Sequence, residues 1–352
     1  MPIIDRITWM FFCASLFLVA GVPINGHTKD TTVIASPFNQ ITKTYHKDNL
    51  TIIAGGHFFG NSSNSLFSSP SVLANLDLFD SSRVDLAILL GDNIQRLSEP
   101  NIRLFRRAYL NQLNIPVFNA VGNHDISPDP VLDYYGYDPM RYTREFGDPF
   151  SSFVFGHVLI LVIDTENSGS RPKGNGFLSE KQIQQIQNAI SRTSGIELRS
   201  ILLFGHKEIN LWTNNFHQEI VPLFSRFLEK GVKVIYFSGD KGLGNPSVYQ
   251  VQDTVSGIHF YHSHIQNDST DNLLEISVQM NGDVEVKSIS LIDQSEMVIP
   301  QLEVETSIGS ERGGGLKKVT FHLRNTFFLR GVLIGVILVL GAVFTIRLMV
   351  KK

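Results

Sequence analysis

Three short segments place a glycine beside side chains that can bind a metal ion or move a proton. Gly91-Asp92-Asn93 follows the apolar run Leu86–Leu90. Gly122-Asn123-His124-Asp125 follows Val117–Val121, and Gly205-His206 follows Ile201–Phe204. A lone Gly-Asp or Gly-His after a strand is ordinary turn chemistry, but a turn does not need His and Asp next to Asn. Carboxylate, carboxamide and imidazole groups are the donors that divalent ions take. A histidine beside a carboxylate is also suited to acid–base work.

The elements that must position these residues are short apolar runs alternating with helical patterns. Leu50–Ala54, Val84–Leu90, Pro116–Val121, Val158–Ile163, Ser200–Phe204 and Val232–Phe237 read as buried strands. Residues 179–193 open on Ser179 as a cap and place Ile183, Ile186 and Ile190 on one helical face. Residues 216–229 carry Ile220, Leu223, Phe224, Phe227 and Leu228 at helical spacing, with Gly231 as a stop. Asn281-Gly282 between Leu274–Met280 and Val284–Leu291 signals a hairpin. The layout is an α/β domain over residues 45–295, followed by a linker over 296–326 that contains Gly313-Gly314-Gly315. In open α/β sheets, loops at the carboxyl ends of strands are where ligands collect.

The ordered set of motifs resembles the calcineurin-like metallophosphoesterase family over roughly residues 50–290. That family's pattern runs Asp-x-His, Gly-Asp, Gly-Asn-His-Asp/Glu, Gly-His and Gly-His-x-His. Val162-Ile163-Asp164-Thr165 and Gly176-Phe177-Leu178-Ser179-Glu180-Lys181-Gln182 match its accessory features. The resemblance implies a two-sheet sandwich flanked by helices and a pair of divalent ions. It assigns Asp92 to the carboxylate bridging both ions, and Asn123 and His206 to the second ion. His124 takes the place of the catalytic histidine, which stabilises phosphoryl charge or protonates the leaving oxygen, with Asp125 fixing its orientation. Metal-activated water would attack the phosphorus in line.

The sequence departs from that pattern at both ends. Ala54-Gly55-Gly56-His57 keeps the histidine but has Gly55 where the aspartate is expected, and Gly239-Asp240-Lys241-Gly242 replaces Gly-His-x-His. The losses fall on the first ion, which retains only His57 and Asp92. The second retains a donor at all four positions: Asp92, Asn123, His206 and Asp240. The expectation is one well-held ion (Mn, Fe, Mg or Zn), the carboxylate at 240 favouring the harder metals, and a second site short of ligands. Tyr261-His262-Ser263-His264 offers a His-x-His, read either as a rescue of the first ion or as two ordinary strand histidines. Gly55 and Gly242 leave room for waters or a substrate group on this reading.

Composition adds the setting. Of 352 residues, 18% are charged and the formal net charge is −3, so no nucleic-acid binding is indicated. Residues 1–26 read as a signal peptide or signal anchor, with the apolar run Ile7–Val22 at its centre. Residues 327–346 form a C-terminal transmembrane helix, about 20 residues and roughly 30 Å long, closed by a basic tail over 347–352. The N-terminal signal would put the domain on the extracytoplasmic side of a single-pass protein, with the membrane as a partner. Gly331 and Gly335 offer a weak helix-dimerisation face. The sole cysteine, Cys13, lies in the signal, so the exported domain has no disulfide.

Two functions follow. One is a membrane-anchored phosphoesterase acting on a phosphomonoester or phosphodiester, of a small molecule or a lipid. The other is a catalytically weak or inactive binding or scaffold protein on the same fold. A transporter is excluded, since neither apolar segment has a central ionisable residue. The loop Phe58–Ser71 is expected to border the pocket, with Tyr134, Tyr135, Tyr137, Arg141 and Arg144 further along the chain.

Overall fold

The computed structural model describes residues 31–60, 68–127, 138–166, 178–207, 220–240, 246–253 and 256–302. The N-terminal segment 1–26, the C-terminal helix 327–346, the tail 347–352, the linker beyond residue 302, Gly242 and the tyrosines at 134, 135 and 137 lie outside the described residues. Among the described residues no helix is long and apolar enough to cross a membrane.

In chain order the strands are β1 (Thr32–Ala35), β2 (Thr42–Tyr45), β3 (Asn49–Gly55), β4 (Leu86–Leu89), β5 (Val117–Asn119), β6 (Ser151–Phe155), β7 (Val158–Val162) and β8 (Ser200–Phe204). They continue with β9 (Lys233–Ser238), β10 (Val248–Gln252), β11 (His259–Ser263), β12 (Asn272–Gln279), β13 (Val284–Ser290), β14 (Glu296–Met297) and β15 (Gln301–Leu302). The helices are α1 (Pro70–Ala74), α2 (Glu99–Ala108), α3 (Asn123–Ile126), α4 (Pro139–Phe146), α5 (Glu180–Arg192) and α6 (Val221–Leu228).

Two sheets carry the body. One has six strands in the order β14-β13-β12-β3-β4-β5, the other seven in the order β15-β10-β11-β9-β8-β7-β6. β3, β4 and β5 run parallel, as do β7, β8, β9 and β11. The parallel strands are buried on both faces and therefore read as continuous apolar runs. Their side chains alternate between two cores with the period of a pleated strand. Leu86, Ile88 and Leu90 face the layer between the sheets, whereas Ala87 and Leu89 face outwards. Val158, Ile160 and Val162 meet that central layer from the opposite sheet. Leu159 and Leu161 pack outwards against Ile186 and Ile190 of α5 and Phe224 of α6. On the other outer face, Ile102 and Phe105 of α2 and Tyr142 and Phe146 of α4 cover the six-stranded sheet. The result is a helix–sheet–sheet–helix sandwich, as the motifs imply.

The predicted hairpin is the antiparallel pair β12–β13. α5 opens on Ser179, whose Oγ accepts the Gln182 amide at 3.2 Å. The folded body is longer than residues 45–295. β1 and β2 pair before it, and β14 and β15, within the segment read as linker, add to the sheet edges. These strands have only two to four residues and mostly exposed or half-buried side chains. Edge strands of this kind carry no apolar run by which periodicity can find them.

Ile160 is fully buried between the sheets, while Val33 on β1 is 59% exposed. Ile160→Ala is expected to lower unfolding stability by about 2–5 kcal/mol. Val33→Ala should change it by no more than about 0.5 kcal/mol. Urea denaturation of the two variants checks both.

Candidate metal centre

Every candidate residue lies just beyond the carboxyl end of a parallel strand. His57 follows β3, Asp92 follows β4, Asn123 and His124 follow β5, His206 follows β8 and Asp240 follows β9. The two sheets therefore present their loops to one cleft, and a parallel bridge between Gly56 and His264 ties their rims together.

The backbone at the cleft is held in an uncommon conformation. His57 has φ 62°, Asp92 φ 56° and Gly91 φ 83°. For non-glycine residues such geometry costs on the order of 1–3 kcal/mol and persists only where surrounding contacts fix it. Here the His57 amide donates to the Gly91 carbonyl at 2.8 Å, and the Phe59 amide to that of Asp92 at 3.3 Å. Asp125 supplies the main restraint. Its buried carboxylate accepts the backbone N–H groups of Asn93 (2.8 Å), Asp92 (3.0 Å), Gly122 (3.0 Å) and Ile94 (3.3 Å). Gly122 is required at its position, because a Cβ there would lie 2.2 Å from Asp92 Oδ1. That same oxygen accepts the His124 amide at 3.0 Å.

Asp92 Oδ2 is thereby left facing the cleft, where it meets imidazoles from both sheets. His206 Nε2 lies 3.5 Å from it and His57 Nε2 lies 3.6 Å away. Asp240 Oδ1 stands 3.6 Å from His206 Nε2. Donors about 2.1 Å from a tetrahedral ion are separated by about 3.4 Å, so these spacings fit one ion. Asp92, His206 and Asp240 are all buried, and their donor atoms lie within 4.8 Å of one another. The His206 ring is oriented for ligation: Nδ1 is hydrogen-bonded to the Leu90 carbonyl at 2.7 Å, and buried Nε2 has no hydrogen-bond partner among the described residues. A backbone carbonyl on one ring nitrogen fixes the tautomer that leaves a lone pair on the other. The donor set thus fits a divalent cation.

The electrostatics agree with a place for positive charge. Burial pushes the Asp92 carboxyl up, but the imidazoles of His206, His124 and His57 outweigh it and hold the group below its ordinary value. Asp240 is likewise raised by burial and lowered further by Lys207 and His206, with a net fall. Burial favours neutral His206, yet Asp92 and Asp240 reverse the direction and raise it. A proton on that ring competes with a metal ion for the same lone pair. Burial lowers His57 to about 4, so its ring is neutral and able to donate a lone pair.

Asn123 opens α3 just after β5. Its Oδ1 is 3.5 Å from Lys207 Nζ, a residue the motifs had not singled out. The ammonium of Lys207 also contacts Asp240 Oδ2 at 2.9 Å and Glu166 Oε1 at 3.0 Å. Burial raises Glu166 to about 7, although Lys207 opposes the rise. Both residues carried a visible signal: each is a charged side chain directly after an apolar strand, one next to Thr165 and the other next to His206.

Two expectations are corrected, and of the two readings of His262 and His264 the ordinary strand histidines hold. Asp125 does not orient the His124 ring, since its oxygens are occupied by backbone N–H groups and by the Asn93 and Asn119 amides. His124 Nδ1 is held instead by the Gln95 carbonyl at 2.8 Å. Gly55 leaves no room for water or substrate: a Cβ at that position would lie 2.5 Å from Leu273 Cδ2, with Ser263 Oγ beyond. His262 and His264 do not aim together at an ion. His262 Nε2 bonds His264 Nδ1 at 2.7 Å and its Nδ1 lies 3.0 Å from Ser238 Oγ. Burial and the neighbouring His264 keep His262 well below the ordinary imidazole range. Of the loop expected to border the pocket, Phe59 does so: its ring centroid is 4.2 Å from that of His57 and 4.7 Å from that of His124.

A helix-flanked double sheet with buried carboxylates and imidazoles at its strand ends defines an α/β sandwich with a site suited to a divalent cation. Residues 66–241, half of the chain, match the model of the calcineurin-like phosphoesterase family, and the chain belongs to that family. The matched stretch begins after Gly55 and His57. Among solved structures, a dimetal phosphatase from Danio rerio is similar at 12% identity with a TM-score of 0.50, over 70% of this chain and 98% of that one. A purple acid phosphatase from yellow lupin (Lupinus luteus) seeds aligns at 11% identity with a TM-score of 0.47, over 75% of this chain and 58% of that one. At such identities the first likeness shows the fold alone. No curated relative matches the chain by sequence.

Removing the Asp125 carboxylate would strand buried backbone N–H groups, at about 1–3 kcal/mol each. Asp125→Ala is therefore expected to lose about 3 kcal/mol or more of stability, and Asp125→Asn, which keeps one acceptor oxygen, distinctly less. Guanidinium denaturation measures both. A loss below about 1 kcal/mol for the alanine variant would contradict the restraint assigned to this residue.

Proposed function

We propose that this chain is a phosphoester hydrolase that works with a single divalent ion held by Asp92, His206 and Asp240, with His57 beside them. The observation that carries the reading is the convergence of Asp92 Oδ2, His206 Nε2 and Asp240 Oδ1 on one buried point, with the His206 nitrogen otherwise unpartnered. The family and the fold support metal-dependent phosphoester hydrolysis in general. The substrate is a phosphomonoester or phosphodiester, of a small molecule or a lipid headgroup. Two carboxylates against one imidazole in the inner group favour Mn, Mg or Fe over Zn. When bound, the ion supplies Lewis-acid polarisation of a phosphoryl oxygen and acidifies a water.

The protein's own groups do the rest. His57 offers a neutral donor nitrogen, His206 one for which an ion displaces the proton, and Asp92 is aimed by the Asp125 shell. His124 is half-buried at the same cleft, with Nδ1 fixed on the Gln95 carbonyl. Nδ1 therefore carries a proton, and Nε2 is the nitrogen left to take up or release one. In the imidazolium form it can hydrogen-bond a phosphoryl oxygen or pass its proton to the leaving oxygen. Buried Phe59, against the rings of His57 and His124, excludes water from one wall.

We further infer a setting outside the cytoplasm. The apolar segment within residues 1–26 directs export, residues 327–346 anchor the domain, and residues 347–352 stay behind. Residues 331 and 335 offer a route to pairing of the anchors. A second functional reading, a binding protein with little turnover, is favoured by one contact: Lys207 Nζ holds Asp240 Oδ2 at 2.9 Å and so competes for a ligand.

The full chain, purified in detergent with Mn²⁺, should hydrolyse p-nitrophenyl phosphate or its diester and lose that activity on chelation. His124→Ala should lower kcat by about 10²–10⁴-fold while keeping its ion. Asp92→Asn should lose both. Activity that survives chelation and Asp92→Asn would overturn the hydrolytic mechanism, and an ion bound without turnover would favour the binding protein.

A further inference from the structure

Lys207 is 6% exposed, and its ammonium sits in a nest of hard oxygen donors: Asp240 Oδ2 at 2.9 Å, Glu166 Oε1 at 3.0 Å and Asn123 Oδ1 at 3.5 Å. Lysine is almost never buried unless it is paired. Its backbone is pinned as well. The Lys207 amide donates to Thr165 Oγ1 at 3.0 Å, and its carbonyl accepts the Tyr236 hydroxyl at 2.8 Å. The strand ends thus fix the point from which the side chain reaches these oxygens.

We propose that Lys207 is a built-in cation that fills a second cation pocket beside the metal group and limits the centre to one divalent ion. The inference rests on the reading that Asp92, His206 and Asp240 hold an ion. Asp240 is the shared wall, since its Oδ1 faces His206 and its Oδ2 faces Lys207. Two carboxylates and a carboxamide oxygen around one point form the kind of donor set that a hard divalent ion takes. With the ammonium in place that ion is excluded by both volume and charge. Without it, Asp240 and Glu166 lose the ammonium that they share, and a divalent ion can take its place among their oxygens. Lys207 is thus a residue that sets the metal stoichiometry.

The test counts ions and does not depend on turnover. The full-length wild type, Lys207→Met and Lys207→Arg are dialysed against Mn²⁺, and bound metal is measured by plasma mass spectrometry. Lys207→Met is expected to hold one more ion per chain than the wild type, and Lys207→Arg the same number as the wild type. Added Mn²⁺ should also raise the Tm of Lys207→Met more than that of the wild type, because the ion binds only the folded state. A wild type with no ion and a Lys207→Met chain with one would sink the hydrolytic reading yet support this inference. Equal counts in Lys207→Met and wild type, two ions in the wild type, or an extra ion in Lys207→Arg would each overturn it. So would a Lys207→Met chain that stays unfolded at every Mn²⁺ concentration.

Discussion

The buried carboxylate of Asp125 gathers the N–H groups of Asp92, Asn93, Ile94 and Gly122, and by doing so locks together the loops that follow two neighbouring strands. The geometry of the cleft follows from that shell. It forces Asp92 into a left-handed backbone conformation, turns Oδ1 toward the His124 amide, and leaves Oδ2 pointing into the space between the sheets. Burial, with the Asp92 charge beside it, pushes the Asp125 carboxyl up, and the N–H donors oppose that rise. A backbone shell suits this position better than a salt bridge. An ammonium here would compete with the centre for Asp92, whereas N–H dipoles stabilise the anion and add no net charge.

Much of this was legible in the sequence because it depends on local pattern. Buried parallel strands are continuous apolar runs, and the glycine, carboxylate and imidazole residues at their ends stand next to them in the chain. Hence Leu86–Leu89 and Ser200–Phe204 could be placed, and Asp92 and His206 with them. What pattern cannot carry is the choice of partner across space. Lys207 meets Asp240 and Glu166 only because β7, β8 and β9 are neighbours in one sheet, and sequence separates those three residues by 33 and 41 positions. Likewise nothing near His124 announces that the Gln95 carbonyl, 29 positions away, holds its ring in place of the adjacent Asp125. Gly55 misled for the opposite reason: a missing side chain looks like space until Leu273 of β12, distant in sequence, is seen to fill it.

The same facts explain why the centre tolerates its departures from the usual ligand pattern. Asp92, Asp240 and Glu166 are buried just beyond strand ends, and Lys207 lies against the last two. Lys207 already brings a positive charge to Asp240 and Glu166. Two divalent ions would add four more in a low-dielectric site, a load that burial penalises heavily. The closed space at Gly55 and the ammonium at Lys207 therefore belong together. A side chain at position 55 would press on Leu273, while loss of the lysine would take from Asp240 and Glu166 the ammonium that they share. On the proposed reading the ammonium of Lys207 stands where an ion would otherwise sit, and Asp240 and Glu166 have a positive charge supplied from within the chain.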